Sequence, residues 1–323
     1  MKIGPVRIAH PIGLAPMEEH TNYPLRRLMK QFGASLVCSE RVDSIDVARR
    51  DRRALRLLHT MADEAPRAGQ ISGADPSTMA EAARVVEELG FDLVDLNFEC
   101  PIRRLVQRGE GGALLADPSA IERIVRAVVR AASIPVTLKI RTGPSREAET
   151  ASDVARAAEA AGARAIGLHA RSVEQAYVGG ADWESIGRVK EATSLPIFAS
   201  GGVRSADDAL RLLKESGAEG VSIGRGALGN PWIFAEARAL HAGGARPAVP
   251  SAAERGRVLL RLATDEFHLY GPTVAVRRLP RVACYFAKAI PGFAEFRAEI
   301  QRVRTLAELR SLIREHFTER ASV

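Results

Sequence analysis

Short apolar runs alternate with longer amphipathic stretches along the first 240 or so positions of the chain. The two patterns recur at roughly the 30-residue spacing of strand–helix units. Many of the amphipathic stretches open with Asp, Ser or Pro and close with Gly, as helices do. The patterns predict helices over 76–89, 118–131, 151–161 and 207–216, and strands near 12–16, 34–39, 67–71, 92–97, 135–140, 164–169, 195–200 and 219–223.

Eight strand–helix units predict an α/β fold, a (β/α)8 TIM barrel. A doubly wound sheet is the alternative, but it usually has fewer strands and needs a phosphate loop after the first strand. Here Met17-Glu18-Glu19-His20 follows the first strand, without a glycine. Residues 242–250 are rich in Gly and Pro, and the pattern is helical from 251 onward. We therefore predict a catalytic barrel domain over 1–241, a linker over 242–250 and an all-α domain over 251–323.

Composition fits a globular chain of 323 residues, with 46% hydrophobic and 26% charged residues and no apolar segment of membrane-spanning length. The first residues lack the apolar region of a signal peptide. Cys38, Cys100 and Cys284 cannot form a paired disulfide framework, so a reducing cytoplasm fits best. No Cys/His cluster has zinc spacing and no heptad seam is present, so we expect no metal site and a monomer.

The positive charge is concentrated in the C-terminal region. Residues 251–323 hold 13 Lys and Arg against 8 Asp and Glu, which is +5 of the chain's formal +7. A basic region attracts polyanions. The predicted helical domain is therefore the expected contact for such a partner.

A cysteine lies where a barrel keeps its chemistry, just after the fourth predicted strand. Asn97-Phe98-Glu99-Cys100-Pro101 places Cys100 on a loop at the strand's C-terminal end. A thiol there could act as a general acid. A nucleophilic thiolate is the alternative, but no histidine lies in the same loop to activate it. Cys38 and Cys284 have the pattern of inert core cysteines.

Glycines follow the last two predicted strands, where barrels often bind a phosphate group. Gly201-Gly202 follows strand seven, and Gly224-Arg225 follows strand eight. Lys139 ends an otherwise apolar strand, where an ammonium needs an anion. A salt bridge to Asp95 or Glu40 is one interpretation, and a cation beside the ring of a flavin is the other. The glycines within residues 109–112 predict either a simple loop or a segment that closes over a substrate.

Seven motifs, in their order and spacing, resemble the flavin-dependent RNA dihydrouridine synthases over nearly the whole chain. They are Leu14-Ala15-Pro16-Met17 with Pro24-Leu25-Arg26, Gln70-Ile71-Ser72-Gly73, Asp95-Leu96-Asn97-Phe98-Glu99-Cys100-Pro101, Gly111-Gly112-Ala113-Leu114-Leu115, Lys139-Ile140-Arg141-Thr142-Gly143, His169-Ala170-Arg171-Ser172 with Tyr177 and Gly180-Ala181-Asp182-Trp183, and Gly224-Arg225-Gly226-Ala227-Leu228-Gly229-Asn230-Pro231-Trp232.

The resemblance implies reduction of uridine to 5,6-dihydrouridine in RNA, most simply transfer RNA, with ribosomal RNA possible. FMN would give hydride to carbon 6 of the uracil, NADPH would re-reduce FMN, and Cys100 would protonate carbon 5. The base would be flipped out of its stack. By the same resemblance, FMN contacts fall on Pro16, Met17, Gln70, Lys139, His169, Gly201, Gly202, Gly224 and Arg225, and substrate contacts on Asn97, Arg104, Arg141 and Arg171.

The chain departs from the family pattern near the site. Glu99 stands where glycine is usual, Glu18-Glu19 replaces alanine-glycine, Arg104 replaces lysine and Asn22 replaces aspartate. We expect the three carboxylates to pair with Arg26, Arg103 or Arg104, or to point outward. Two rival functions remain open. One is a flavin barrel acting on a free pyrimidine, like dihydroorotate or dihydropyrimidine dehydrogenases, and the other is a non-catalytic RNA-binding protein.

Overall fold

Eight parallel strands form the centre of the protein. The computed structural model describes residues 1–319, so the last four residues of the predicted helical domain, 320–323, lie outside the described part. The barrel strands are β1 (Ile12–Leu14), β2 (Val37–Cys38), β3 (Arg67–Ser72), β4 (Leu93–Phe98), β5 (Val136–Arg141), β6 (Ala165–His169), β7 (Ile197–Ser200) and β8 (Gly220–Ile223).

The strands pair in chain order, and β8 pairs with β1. Between β1 and β2, the Leu14 N–H donates to Leu36 O at 2.8 Å, and Ser35 N–H donates to Ile12 O at 2.9 Å, which brings the two ends of the sheet together. All eight strands lie where the sequence predicts them, so the TIM-barrel prediction is confirmed. Their C-terminal ends surround one opening, which we call the barrel mouth.

Helices follow the strands as the periodicity predicts, and short polar residues begin several of them. Asn22, Asp75 and Asp117 accept a hydrogen bond from the first turn, and proline is the first or second residue of each of these helices. The helices are α1 (Tyr23–Gln31), α2 (Ser44–Ala48), α3 (Arg52–Leu57), α4 (Pro76–Glu88), α5 (Arg103–Gln107), α6 (Pro118–Ala131), α7 (Ala151–Ala161), α8 (Glu184–Glu191), α9 (Ala206–Ser216), α10 (Trp232–His241), α11 (Ala252–Tyr270), α12 (Pro272–Ala287), α13 (Phe293–Ile300) and α14 (Leu306–Arg314), with 3₁₀ turns at Ala62–Glu64, Gly111–Ala116 and Arg225–Ala227 and a π-turn at Glu315–Glu319.

A hairpin that the sequence pattern does not reveal covers the opposite end of the barrel. Lys2–Ile3 pairs with Val6–Arg7, and Ile3 packs in one cluster with Leu93 and Phe198. Because Leu93 begins β4, this cluster fills the N-terminal end of the barrel. A further short strand, Val42–Asp43, pairs beside β3.

Helices α11 and α12 pack directly on the barrel, and α13 and α14 pack on these two helices. Gly229 approaches the backbone of Tyr285 so closely that a Cβ on Gly229 would lie 2.3 Å from the Tyr285 carbonyl carbon. At the same seam, Asn22 donates through Nδ2 to the buried Glu266 carboxylate at 2.8 Å. An aspartate at position 22 would oppose a second carboxylate here, which accounts for the asparagine.

Residues 242–250 run exposed and without regular structure between α10 and α11, as expected of a linker. One continuous core nevertheless includes residues of the barrel and of the C-terminal helices. The division into domains at 242–250 therefore stays a prediction. Within residues 1–319, no helix combines the length and the apolar character needed to cross a bilayer.

Candidate active site at the barrel mouth

The strand register brings the predicted polar residues together. Asn97 on β4 lies beside Lys139 on β5, and Arg141 at the end of β5 lies beside His169 on β6. Gln70 on β3 is the neighbour of Asp95 on β4. Side chains far apart in the chain therefore share one end of the barrel.

A hydrogen-bonded chain of buried side chains runs along this end. Asn97 Nδ2 donates to Gln70 Oε1 at 3.0 Å, and Gln70 Nε2 donates to Asp95 Oδ2 at 2.6 Å. Asp95 also accepts from Thr137 Oγ1 at 2.6 Å, and burial raises the pKa of its carboxyl. These bonds fix the amides of Gln70 and Asn97 within the barrel wall.

Cys100 lies at the mouth on a turn that Asn97 holds. The backbone N–H of Cys100 donates to Asn97 Oδ1 at 3.1 Å. Burial raises the pKa of the Cys100 thiol. The Ile102 N–H and the Arg41 guanidinium oppose this shift, because they stabilise the thiolate. The residue is 8% exposed. The thiol is therefore protonated at neutral pH, as a proton donor requires.

The glycine pair at 111–112 supports Cys100 from the other side. Gly112 N–H donates to Cys100 O at 3.1 Å, and a Cβ on Gly111 would lie 3.0 Å from the same oxygen. Gly111 also has a φ of +57°, which favours glycine. This segment is a packed support of the cysteine turn.

Lys139 forms an ion pair, but with neither of the two carboxylates considered from the sequence. Its Nζ lies 2.6 Å from Glu99 Oε2, so the expected partners Asp95 and Glu40 are wrong. Asp95 instead accepts hydrogen bonds from Thr137 and Gln70. Gly167 on β6 makes room for the lysine, because a Cβ there would lie 2.6 Å from Lys139 Cδ. Glu99 and Gly167 are parts of the site that sequence reasoning did not assign.

His169 and Arg171 form the next part of the mouth. Burial lowers the pKa of His169 to about 4, although the Glu99 carboxylate opposes this shift. Arg171 Nη1 lies 3.2 Å from His169 Nε2, and its Nη2 donates to Gly179 O at 2.9 Å. Because a guanidinium can only donate, Nε2 accepts and the ring proton is assigned to Nδ1.

Arg141 organises the loop after β6. Its Nε donates to Glu99 O at 2.9 Å, and its Nη1 donates to the carbonyls of Ser172 and Ala176. Its guanidinium also lies 5.3 Å from the centre of the Tyr177 ring. Arg141 is thus buried and bound to backbone oxygens, while Arg104 lies exposed on α5.

The loops after β7 and β8 are where the sequence predicts a phosphate site. Across residues 1–319, the backbone N–H groups of Gly201, Gly202, Val203 and Gly224 have no acceptor. Gly201 and Gly202 have φ of +111° and +82°, and a Cβ on Gly201 would lie 2.9 Å from the His169 ring. Free amides clustered beside an arginine, Arg225, are the donors that a phosphate needs.

The first loop of the mouth contacts this site. An added Cβ on Gly224 would lie 3.8 Å from Met17 Sδ and from the Ala15 side chain. Pro16, between these two residues, is half-buried. Arg225 lies on the other side of the loop, 5.0 Å from the centre of the Tyr177 ring.

The three unusual carboxylates are all paired, but not with the expected arginines. Glu99 pairs with Lys139, Glu18 with Arg41 at 3.1 Å, and Glu19 with Arg281 of α12. The expected partners lie elsewhere: Arg26 is buried against Glu64, and Arg103 and Arg104 are exposed on α5. The pairing predicted for these carboxylates is therefore wrong in its partners, whereas the exposure of Glu18 and Glu19 agrees with the alternative that they point outward.

Arg41 is a second residue that sequence reasoning missed. It lies after β2, donates to Ser72 Oγ at 2.8 Å and to Glu18, and its side chain is 10% exposed. Its buried Nε has no partner among the described residues. No motif in the sequence distinguishes it from the exposed arginines that follow α2 and lie in α3.

One group of possible metal ligands lies away from the mouth. Oxygen or nitrogen atoms of Glu299, Glu315 and His316 lie within 4.8 Å of one another, and His316 Nε2 is 3.2 Å from Glu299 Oε2. A histidine–carboxylate pair accounts for this contact. The expectation of no metal site stays a prediction.

Residues 13–322 match the family model for dihydrouridine synthase (Dus). The chain is 39% identical to tRNA-dihydrouridine synthase B of Pseudomonas aeruginosa, covering 99% of this chain and 96% of that protein. It is 37% identical to a probable tRNA-dihydrouridine synthase of Rhodobacter capsulatus, covering 98% and 97%. The chain therefore spans nearly the full length of these relatives.

More distant solved structures share the fold. Morphinone reductase aligns with a TM-score of 0.54 and 13% identity, covering 77% of this chain and 90% of that one. Histamine dehydrogenase from Rhizobium sp. 4-9 aligns with a TM-score of 0.57 and 13% identity, covering 82% of this chain but only 50% of that one. At this identity the likeness is one of barrel architecture.

Proposed function

The chain belongs to the dihydrouridine synthase family, and from that premise we propose that it reduces uridine to 5,6-dihydrouridine in tRNA, with FMN as cofactor and NADPH as reductant. The observation that carries the proposal is the buried Cys100 thiol at the mouth, which also holds cations and the loop amides that have no acceptor among residues 1–319. Proton donor and anion site together are what a flavin-dependent reduction of a ring double bond requires.

The residues present fit FMN. The amides of Gly201, Gly202, Val203 and Gly224 would hold its phosphate, with Arg225 beside them. Lys139, His169, Gln70, Pro16 and Met17 would surround its ring. When bound, FMN supplies the hydride that arrives at carbon 6 of the uracil.

Cys100 supplies the proton. Its Sγ–H donates to carbon 5, and the resulting thiolate regains a proton from solvent. Asn97 and Gly112 hold the Cys100 backbone, so the thiol stays at one place in the mouth. Arg41 stabilises the negative charge that Sγ carries after the transfer.

Substrate contacts are proposed for Asn97, Arg104, Arg141 and Arg171. Arg171 and Arg141 lie buried in the mouth, where they can approach the uracil and its phosphate. Arg104 lies exposed on α5, where it can reach the flanking backbone. The basic helical region 251–323 would bind the tRNA body and offset the energy of flipping the base, which is about a few kcal/mol. We propose that the protein is a cytoplasmic monomer; the free cysteines fit a reducing compartment.

The test is nucleoside mass spectrometry of tRNA and rRNA from cells with and without this gene. Wild type and Cys100→Ala are each returned to the deletion strain. We expect dihydrouridine to disappear from the tRNA of the deletion strain, to return with wild type and to stay absent with Cys100→Ala. Loss from rRNA instead would change the substrate, and unchanged dihydrouridine in both would refute RNA reduction and favour a free pyrimidine as substrate.

A further inference from the structure

An ion pair lies within the group of residues proposed to surround the FMN ring. Lys139 Nζ is 2.6 Å from Glu99 Oε2, and the two side chains are 5% and 14% exposed. Burial alone would raise the pKa of the Glu99 carboxyl, but Lys139, His169 and Arg141 hold it well below its usual range. Glu99 is therefore a full negative charge at neutral pH.

The backbone of Glu99 is fixed on both sides. Its N–H donates to Asn97 Oδ1 at 3.3 Å, and its carbonyl accepts from Arg141 Nε at 2.9 Å. The side chain therefore starts from a set position next to Cys100. The carboxylate belongs to the built site and is not a surface group that has turned inward.

His169 is the second group that faces this carboxylate. Its Nδ1, to which the ring proton was assigned above, lies 3.5 Å from Glu99 Oε2. Because burial keeps the ring neutral, His169 contributes a dipole and no charge. An FMN ring bound here would therefore contact the Lys139–Glu99 pair, whose net charge is zero.

We infer that Glu99 is a resident counter-ion that weakens FMN binding and makes bound FMN harder to reduce, by neutralising the charge of Lys139. This inference rests on the proposed function. A free ammonium beside the pyrimidine edge would stabilise the negative charge of the reduced ring, and a carboxylate at the same place opposes that charge. The effect is strong because both side chains are removed from water.

The experiment compares wild type with Glu99→Gln, which removes the charge and keeps the size. Glu110→Gln is the matched control, because Glu110 is a similarly buried carboxylate, 9% exposed, that pairs with Arg108 instead of Lys139. Apoprotein is titrated with FMN by flavin fluorescence, and the midpoint potential of the loaded protein is measured against a redox dye. Circular dichroism verifies the fold of each variant.

We expect Glu99→Gln to bind FMN about tenfold more tightly, a difference of about 1.4 kcal/mol, and to have a more positive midpoint potential. Glu110→Gln should match wild type in both. The double variant Glu99→Gln/Lys139→Met should lose the tighter FMN binding and the more positive potential, because both come from the unpaired Lys139 ammonium.

An unchanged or weaker FMN affinity in Glu99→Gln, with wild type binding normally, would overturn this inference and leave the proposed function standing. A wild-type chain that takes up no FMN would refute the proposed function and this inference together. If Glu99→Gln does not fold, Glu99→Gly is measured in the same way. Glycine is the usual residue at this position in the family pattern, and the same outcomes decide.

Discussion

Gly167 is a position where one added methyl group should disturb the site. A Cβ there would lie 2.6 Å from Lys139 Cδ and 3.5 Å from both Lys139 Cε and Leu138 O. Ordinary contact begins near 3.4 Å, so the lysine chain must retreat by about 0.8 Å in a close-packed wall. Cδ is not a free end, because Nζ is held by Glu99 at 2.6 Å.

Overpacking of this kind costs about 1–3 kcal/mol, so Gly167→Ala should lower the free energy of unfolding by that amount. Because the displaced chain carries the ammonium, FMN should also bind more weakly. Urea unfolding and an FMN fluorescence titration measure the two effects. The control is Gly187→Ala in α8, where an added Cβ would have no neighbour within 4 Å and alanine should add about 0.5–1 kcal/mol of stability.

The reasoning would be refuted if Gly167→Ala unfolded at the urea concentration of wild type and bound FMN with the same constant. Loss of stability with unchanged FMN binding would show that the lysine adjusts without moving its ammonium. That result would show that close packing at Gly167 contributes to stability without affecting the contribution of Lys139 to FMN binding.

Three further outcomes are expected. Cys100→Ala should keep FMN and tRNA binding but lower the rate of dihydrouridine formation by about 100-fold or more, measured in single turnover by nucleoside mass spectrometry. Arg41→Gln should raise the pKa of the Cys100 thiol, and Glu18→Gln should lower it, because the arginine favours and the carboxylate disfavours the thiolate; alkylation rates against pH, resolved to the Cys100 peptide, measure both. The folded-state pKa of Glu99 lies below its ordinary value of 4.5, so wild type should lose stability as pH falls below about 4.5. Glu99→Gln should lack this part of the loss when the free energy of unfolding in urea is measured between pH 6 and pH 3. The same pH dependence of this free energy in both proteins would contradict the prediction.

The fold was predictable because its signal is periodic. Apolar runs and amphipathic stretches repeat through eight units, and each barrel strand lies within the predicted range or ends one residue beyond it. The strands Lys2–Ile3, Val6–Arg7 and Val42–Asp43 were not predictable. A strand of two residues is too short to show alternation, so only its pairing with another segment defines it as a strand.

The site was predictable in its residue types but not in its pairings. Cys100 follows β4, Lys139 lies in the C-terminal half of β5 and His169 ends β6, so the fold alone places them at the mouth. The partner of Lys139 depends on the register of β4 against β5, which sets Asn97 beside the lysine and brings Glu99 within reach. Sequence reasoning chose nearby arginines for the unusual carboxylates, although their partners come from other strands and from α12.

The pairing of these carboxylates determines which cations at the mouth have no carboxylate partner and can therefore contact an anionic substrate. Glu18, Glu19 and Glu99 are each taken up by a cation, so none of them is an unpaired negative charge at the mouth. In the part of the chain that the structure describes, no carboxylate lies within 4.0 Å of the guanidinium groups of Arg141, Arg171 and Arg225. Burial and the repulsion among these guanidinium groups lower the pKa of Arg171, so their closeness costs free energy in the empty site. An anion placed among them would remove that cost. The acidic residues that the sequence sets at the mouth therefore leave these three guanidinium groups without a carboxylate partner among the described residues.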